Sequence, residues 1–197
     1  IIMSDGKEVG TIDGTYSKDE VLDAKLSMDE FPLGMINGFI PMQLFGFRGY
    51  GDGTLSVKGK LDRPEVDGEV YLDSSYIFSQ PYGVEMRFAN DPITIKGSKL
   101  LFENFLMFAI NDSPLDVSGA FDFSNLDRMM LNVKMQARNF LLIDSKETPR
   151  SETYGKTYVN FFGTMQGPVD NLKMLGRLDV LGSTDMTYVM RDAILTT

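Results

Sequence analysis

The chain has 197 residues, and its 28 acidic side chains outnumber 19 basic ones to give a net charge of −9. This charge argues against nucleic acid and against electrostatic docking on anionic lipid headgroups. Cysteine and histidine are both absent, which excludes disulfides, thiolate and imidazole metal sites, and catalytic triads with a histidine base.

Apolar and polar residues alternate through most of the chain, which predicts β-strands because successive strand side chains point to opposite faces. Short alternating segments separated by turn residues predict an all-β antiparallel meander. The alternating apolar positions are, in chain order, Leu22, Ala24, Leu26 and Met28; Leu55, Val57, Gly59 and Leu61; Val66, Gly68, Val70 and Leu72; Val84, Met86 and Phe88; Ile93 and Ile95; Leu115, Val117, Gly119, Phe121 and Phe123; Met129, Leu131, Val133, Met135 and Ala137; Leu172, Met174, Gly176, Leu178 and Val180.

Turn residues separate these strands. Arg63-Pro64-Glu65 is predicted to interrupt the pattern between Leu61 and Val66. The segments 90–92, "NDP", and 111–114, "NDSP", are predicted to be Asx-turns that each precede a strand.

Two segments do not alternate. The stretch 31–47 is apolar and contains Pro32 and Pro41, and at most one short helix is predicted near residues 33–40. The stretch 144–156 is polar and is predicted to be an exposed loop.

The chain is predicted to be a single all-β domain over residues 1–197, because no convincing linker divides it. No stretch reaches the roughly 20 apolar residues that span a bilayer. The start, "IIMSDGKEVG", has neither a basic region nor a cleavage site. We therefore expect a segment of a longer protein.

No motif for catalysis, a metal or a cofactor is found. The glycines of "GFRGYGDG" are at the wrong spacing for a dinucleotide site, and "YGKT" lacks the upstream glycine of a phosphate-binding loop. The carboxylates lie mainly on polar strand positions or in turns. The chain is therefore predicted not to be an enzyme and to need no cofactor, although a hydrolase with a hidden carboxylate pair is a competing hypothesis.

An apolar sheet face must be covered, either by the protein or by a guest. An acyl chain of about 16 carbons would gain on the order of 13 kcal/mol from burial, before ordering costs, at about 0.8 kcal/mol per methylene. Glycines at Gly59, Gly68 and Gly119 are predicted to let the sheet bend or to leave room for such a chain. The candidate groove lining is Leu55, Val57, Leu61, Val66, Val70, Leu72, Met86, Phe88, Ile93, Ile95, Val117, Phe121, Leu131, Val133 and Met135.

From Phe31 onward the chain resembles the C-terminal domain of the TamB family, in the version found in Bacteroidetes. The resemblance covers most of the chain and keeps the order of its pieces; Ile1 to Glu30 fits only as a generic preceding repeat. The pieces are "DEFPLGMINGFI", "GTLSVKGKLDRPEVDGEVYLDSS", "NDSPLDVSGAFDFSN", "LNVKMQARNFLLIDS", "YGKTYVNFFGTMQGPVDNL" and "VLGSTDMTYVMRD".

This resemblance implies an AsmA-like envelope protein that is anchored in the inner membrane by an N-terminal helix and extends through the periplasm. Its β-taco domain would be a U-shaped sheet with an apolar interior. The implied functions are phospholipid transport and the assembly of outer-membrane proteins. The implied partners are phospholipids, apolar β-strands of client proteins, and an outer-membrane β-barrel of the Omp85 type. The family offers no catalytic residue to transfer.

Two other folds compete with the trough. An extracellular β-sandwich that binds glycan or protein predicts a closed core and exposed aromatics, with Tyr71, Tyr76 and Tyr82 as candidates. A transmembrane β-barrel would need aromatic girdles, which are not evident in the sequence.

Overall fold

The computed structural model describes residues 1–39, 45–80 and 83–190. The described residues form one antiparallel sheet and one 3-10 helix, Leu33–Phe39. The strands are β1 Ile2–Ser4, β2 Lys7–Tyr16, β3 Val21–Pro32, β4 Gly46–Lys60, β5 Arg63–Ser79, β6 Val84–Phe88, β7 Pro92–Lys96, β8 Lys99–Ala109, β9 Pro114–Asp122, β10 Met130–Ser145, β11 Thr153–Pro168, β12 Lys173–Val180 and β13 Asp185–Tyr188.

The strands follow one another across the sheet in chain order from β1 to β12, with two exceptions. Strands β6 and β7 both lie between β5 and β8, and they pair with different segments of those two strands. Strand β13 pairs with the first residues of β11. The predicted all-β antiparallel meander is confirmed, and so is the single short helix after residue 32.

The turn between β4 and β5 differs from the prediction. Strands β4 and β5 are joined by a two-residue turn at Leu61 and Asp62, and Lys60 pairs with Arg63. Pro64 already lies in β5, opposite Gly59. Proline is compatible with this place because it lies at the start of the strand, before the segment 68–71 that pairs with β7.

The predicted exposed loop at 144–156 is also shorter than expected. Strand β10 ends at Ser145 and β11 begins at Thr153, so only residues 146–152 connect them. Polar residues at both ends of the segment pair across the two strands, as Asp144 does with Lys156. The two ends of this polar segment are therefore paired strand rather than loop.

Four of the β-bulges that interrupt the alternation of side chains contain a residue with positive φ. The register shifts at Glu30 in β3, Ser74 in β5, Asn104 in β8 and Asn139 in β10, and all four residues have positive φ. A bulge bends its strand and increases the local twist. In β5 and β8 the bulge also separates the part that pairs with β7 from the part that pairs with β6.

The main hydrophobic core lies towards the end of the sheet at which β10 finishes, and it extends across the bulge at Asn139 because Val133 and Ala137 precede that residue. Its best-buried members include Phe140 and Leu141 of β10, Val159 of β11 and Ala109 of β8. The side chain of Asn111, in the turn between β8 and β9, donates a 2.8 Å hydrogen bond to the carbonyl oxygen of Asn139. The tip of one hairpin is thereby fixed against the bulge of the next strand.

Candidate functional site on the apolar face

One face of the sheet is apolar across nearly its whole width. Residues that are directly opposite in neighbouring strands point to the same face, so the register defines rows of side chains that cross the sheet. One such row contains Ile12, Leu26, Leu55, Gly68, Ile95, Leu100, Phe121, Leu131 and Gly167. At roughly 4.8 Å between strands, the row follows the curved sheet for about 38 Å without a charged residue.

Fourteen of the fifteen candidate lining residues fall in rows on this apolar face. Pairs such as Val57 with Val66, Val70 with Ile93, and Val117 with Met135 join candidates directly. The fifteenth, Leu61, does not, because it lies in the turn after β4, where its side chain is 59% exposed. Leu61 was predicted to continue the alternation of β4, but the strand ends at Lys60.

Burial divides the other fourteen candidates into two groups. Five are buried within the protein and are listed here: Val66, Leu72, Ile95, Val117 and Val133. The remaining nine are half-buried: Leu55, Val57, Val70, Met86, Phe88, Ile93, Phe121, Leu131 and Met135. The described residues form a single sheet and one short helix, so the buried group is covered by curvature of the sheet and, beside Gly51 and its paired residue Leu72, by Leu33 of the helix.

The opposite face of the sheet is polar and charged. Lys25 lies opposite Asp13, and Lys58 lies between Asp23 and Glu65 on neighbouring strands. Opposite charges at directly paired positions are mildly stabilising. The two faces therefore differ sharply, and a shift of one residue in the register would place these charges among apolar side chains.

The apolar face is covered at the end of the sheet that holds the main core. Strand β6 and strand β10 are three positions apart in the sheet, yet the N–H of Asp144 bonds to the carbonyl oxygen of Gly83 over 3.1 Å. Phe47 of β4 also stacks on Phe88 of β6, with ring centroids 6.3 Å apart across the intervening β5. The sheet therefore curls around its apolar face in this region.

The same face is uncovered on the strands near both sides of the sheet. On β2, Ile12 and Tyr16 are exposed, although they pair with Leu26 and Leu22 on the apolar face. On β12, the exposed residues are Met174, Leu178 and Val180, which pair with Met165, Phe161 and Val159. Large contiguous apolar patches are uncommon on soluble proteins and often belong to interaction sites.

Two of the predicted glycines are required by close approach between strands. A Cβ at Gly119 would lie 2.1 Å from the carbonyl oxygen of Asn132, and one at Gly68 would lie 2.2 Å from that of Thr54. Both glycines have positive φ, which side chains rarely adopt. The space above Gly68 is filled by the side chain of Leu55, so Gly68 allows tight strand packing rather than leaving room for a guest.

Two of the three candidate tyrosines of the sandwich hypothesis, Tyr71 and Tyr76, lie within the described residues. Tyr71 is exposed, and the guanidinium of Arg48 lies over the ring of Tyr76, 4.3 Å from its centroid. Tyr82 lies outside the described residues.

The described parts of the chain contain no group of three or more acidic side chains placed to hold a metal ion. Within those same residues, no helix has the length and apolar character needed to cross a membrane. Comparison of the chain with protein-family models, with curated proteins and with solved structures finds no match.

The sequence reasoning missed the exposed apolar residues of β2 and β12 as part of the candidate site. Strand β12 was predicted from its alternation, but alternation cannot distinguish a covered apolar row from an open one. The apolar residues of β2 and β12 are exposed because these strands lie near the two sides of the sheet, where fewer neighbouring side chains pack against them. The sequence does contain one sign that β12 is exposed: its polar face also carries an apolar residue, Leu175.

Proposed function

We propose that this chain is a periplasmic segment of a TamB-like envelope protein, and that its apolar face shields lipid acyl chains. The observation that carries the proposal is the continuous uncharged face that remains uncovered on β2 and β12. The resemblance of the sequence pieces to the TamB family supports the same function. The proposed role is to move phospholipid towards the outer membrane and to assist the assembly of its proteins.

The chemistry of the face suits an acyl chain. Its side chains are aliphatic, aromatic or thioether groups, and methionine adapts well to an irregular apolar guest. A single unpaired charge in such a surface would cost several kcal/mol against a lipid tail. The rows that cross the sheet avoid that cost because every charge of the paired strands lies on the other face or at a strand end.

The proposed partners follow from the same surface. A phospholipid tail and an apolar β-strand of an outer-membrane client both present a long, narrow apolar surface. A β-barrel of the Omp85 type would receive either cargo from the full-length protein, which would be tethered to the inner membrane by an N-terminal helix. These partners and the periplasmic location are part of the proposal.

Native mass spectrometry of the gently purified protein tests the proposal. We expect co-purified phospholipid, with mass additions that disappear on delipidation. The variant Met174→Asp places a charge on the open apolar face and should abolish the bound lipid. The matched control Leu175→Asp changes the neighbouring residue, which is 70% exposed on the polar face, and should retain it. Absence of lipid from the native protein, or equal loss in both variants, would contradict the proposal.

A further inference from the structure

A cavity of about 770 Å³ lies at the ends of strands β8 to β12, and we call it the rim cavity. Its floor contains Ala120, Asn132 and Gln166, which form one row of the polar face. Its walls include Arg128, from the connection between β9 and β10, and Asn171, from the turn between β11 and β12. The rim cavity is therefore built from parts of the sheet that are distant in sequence.

The lining of the rim cavity is positively charged. Lys99, Arg128 and Lys173 contribute three cations, and Asp122 contributes the one carboxylate of the lining, which leaves a local charge of +2. One oxygen of Asp122 accepts hydrogen bonds from the N–H and the hydroxyl of Ser124, at 3.0 and 2.6 Å. Its other oxygen lies 4.0 Å from Nζ of Lys99. The carboxylate of Asp122 thus already has hydrogen-bond and ionic partners. Its negative charge offsets the charge of Lys99 rather than the charges of Arg128 and Lys173.

The remaining cations have no ionic partner within the described residues. Neither Arg128 nor Lys173 belongs to any ion pair found there, and both are exposed. Asp127 and Asp170 lie in the same two connections but do not line the cavity. In a chain whose net charge is −9, two unpaired cations in the lining of one cavity identify a place where an anion is attracted rather than repelled.

The type of anion follows from the donors. A guanidinium binds phosphate oxygens in a bidentate manner, and a lysine ammonium adds a point charge. The side-chain amides of Asn132, Gln166 and Asn171 line the same cavity and supply further N–H donors. The guanidinium, the ammonium and the neutral amide donors together match the several acceptor oxygens of a phosphate group.

We propose that the rim cavity binds a phosphate group through Arg128 and Lys173. The phosphate belongs either to a phospholipid headgroup or to a soluble phosphate compound. The lipid source rests on the proposed function, and it is favoured because Leu131 and Gly167, which also line the cavity, belong to the apolar face. A headgroup held there would lie where the polar and apolar faces meet.

The binding of inorganic phosphate to the whole chain, followed by NMR of backbone amides, tests the site itself. We expect saturable shifts centred on Arg128, Asn171 and Lys173. The double variant Arg128→Gln/Lys173→Gln should weaken binding by about tenfold or more. The control Lys25→Gln/Lys58→Gln removes the same charge from the polar face of β3 and β4 and should leave binding unchanged. Shifts that never saturate, or an equal loss in both double variants, would overturn the proposal.

A second titration with dihexanoylphosphatidylglycerol below its micelle concentration identifies the source of the phosphate. If the lipid competes with inorganic phosphate and binds more tightly, the site takes a headgroup. If inorganic phosphate binds and the lipid does not, the site is a soluble-phosphate site. Failure of both probes would refute the rim cavity alone, because the detection of lipid tails by native mass spectrometry does not depend on it.

Discussion

The backbone N–H of Asp144 donates a 3.1 Å hydrogen bond to the carbonyl oxygen of Gly83. These residues lie at the end of β10 and just before β6, which are separated by β8 and β9 in the sheet. In a flat sheet, three strand spacings would place them about 14 Å apart. The hydrogen bond therefore shows that the sheet curls on itself at this end, and it explains how a single layer buries a core.

The curled end should supply most of the stability. Leu141→Ala removes a side chain that is 4% exposed in the main core, and we expect it to lower the free energy of unfolding by about 2–5 kcal/mol. Leu61→Ala makes the same chemical change in an exposed turn and should change stability by less than about 0.5 kcal/mol. Urea unfolding followed by circular dichroism measures both. Similar losses in the two variants would mean that the core is elsewhere.

Gly119 should be intolerant of any side chain. Because a Cβ there would lie 2.1 Å from the carbonyl oxygen of Asn132, and φ is +136°, Gly119→Ala should destabilise the protein by about 2 kcal/mol or more. Gly182→Ala is the matched control, since a Cβ at Gly182 meets nothing within 4 Å. Thermal unfolding should show a lower Tm for the first variant alone. An unchanged Tm for Gly119→Ala would show that β9 and β10 are not in such close contact.

The bulge in β10 depends on the positive φ of Asn139, which is +47°. A β-branched residue is strained in this conformation, so Asn139→Val should cost about 1–2 kcal/mol. Asn139→Gly removes the same side chain without that strain and should cost less. Chemical denaturation of the two variants makes the comparison. If glycine proved as damaging as valine, the contribution of Asn139 would come from its side chain and not from its backbone.

Asp122 should make stability depend on pH in the acid range. Hydrogen bonds from the hydroxyl and N–H of Ser124, with a smaller effect of Lys99, lower the pKa of the Asp122 carboxyl. Because the folded pKa is lower than the unfolded value of about 3.9, the carboxylate stabilises the protein above that pH. This stabilisation is lost as the pH falls through the folded pKa.

Asp122→Asn tests this dependence. The variant should lose about 1 kcal/mol or less at neutral pH, because the carboxylate is partly exposed. The difference from the native protein should shrink as the pH is lowered below about 4. Unfolding curves collected over a pH series provide the measurement. A difference that stays constant down to the lowest pH would show that Asp122 does not titrate with a lowered pKa.

Much of the fold could be predicted from alternation, because a period of two survives wherever one sheet face is buried. Strands β6, β7, β9 and β12 follow this rule, and so do the stretches 22–28 of β3, 55–60 of β4 and 66–72 of β5. The remainders of β3, β4 and β5, which lie mostly at or beyond register shifts, were not predicted. Strand β8 was missed because its bulge at Asn104 reverses the alternation: Leu100 and Phe102 share the apolar face with Phe105 and Met107. The second half of β10 was missed for the same reason, since Asn139 reverses the alternation between Ala137 and Phe140.

The candidate site was predictable as a set of residues but not as a surface. Alternation correctly places Val70 and Val133 on the same face, yet one is half-buried and the other is buried. That difference depends on how far the sheet curls, which arises from bulges and from the contact between β6 and β10. The rim cavity was not predictable, because Lys99, Arg128 and Lys173 are brought together only by the register of five strands.

The most direct test of the proposed function is photocrosslinking in living cells. The photoreactive residue p-benzoylphenylalanine is placed at Met174, on the open apolar face, or at the neighbouring Leu175, on the polar face. If the apolar face carries acyl chains, irradiation should attach phospholipid at position 174 and not at position 175. Equal labelling of the two positions, or labelling of neither while the protein stays folded, would contradict the proposed lipid-binding face.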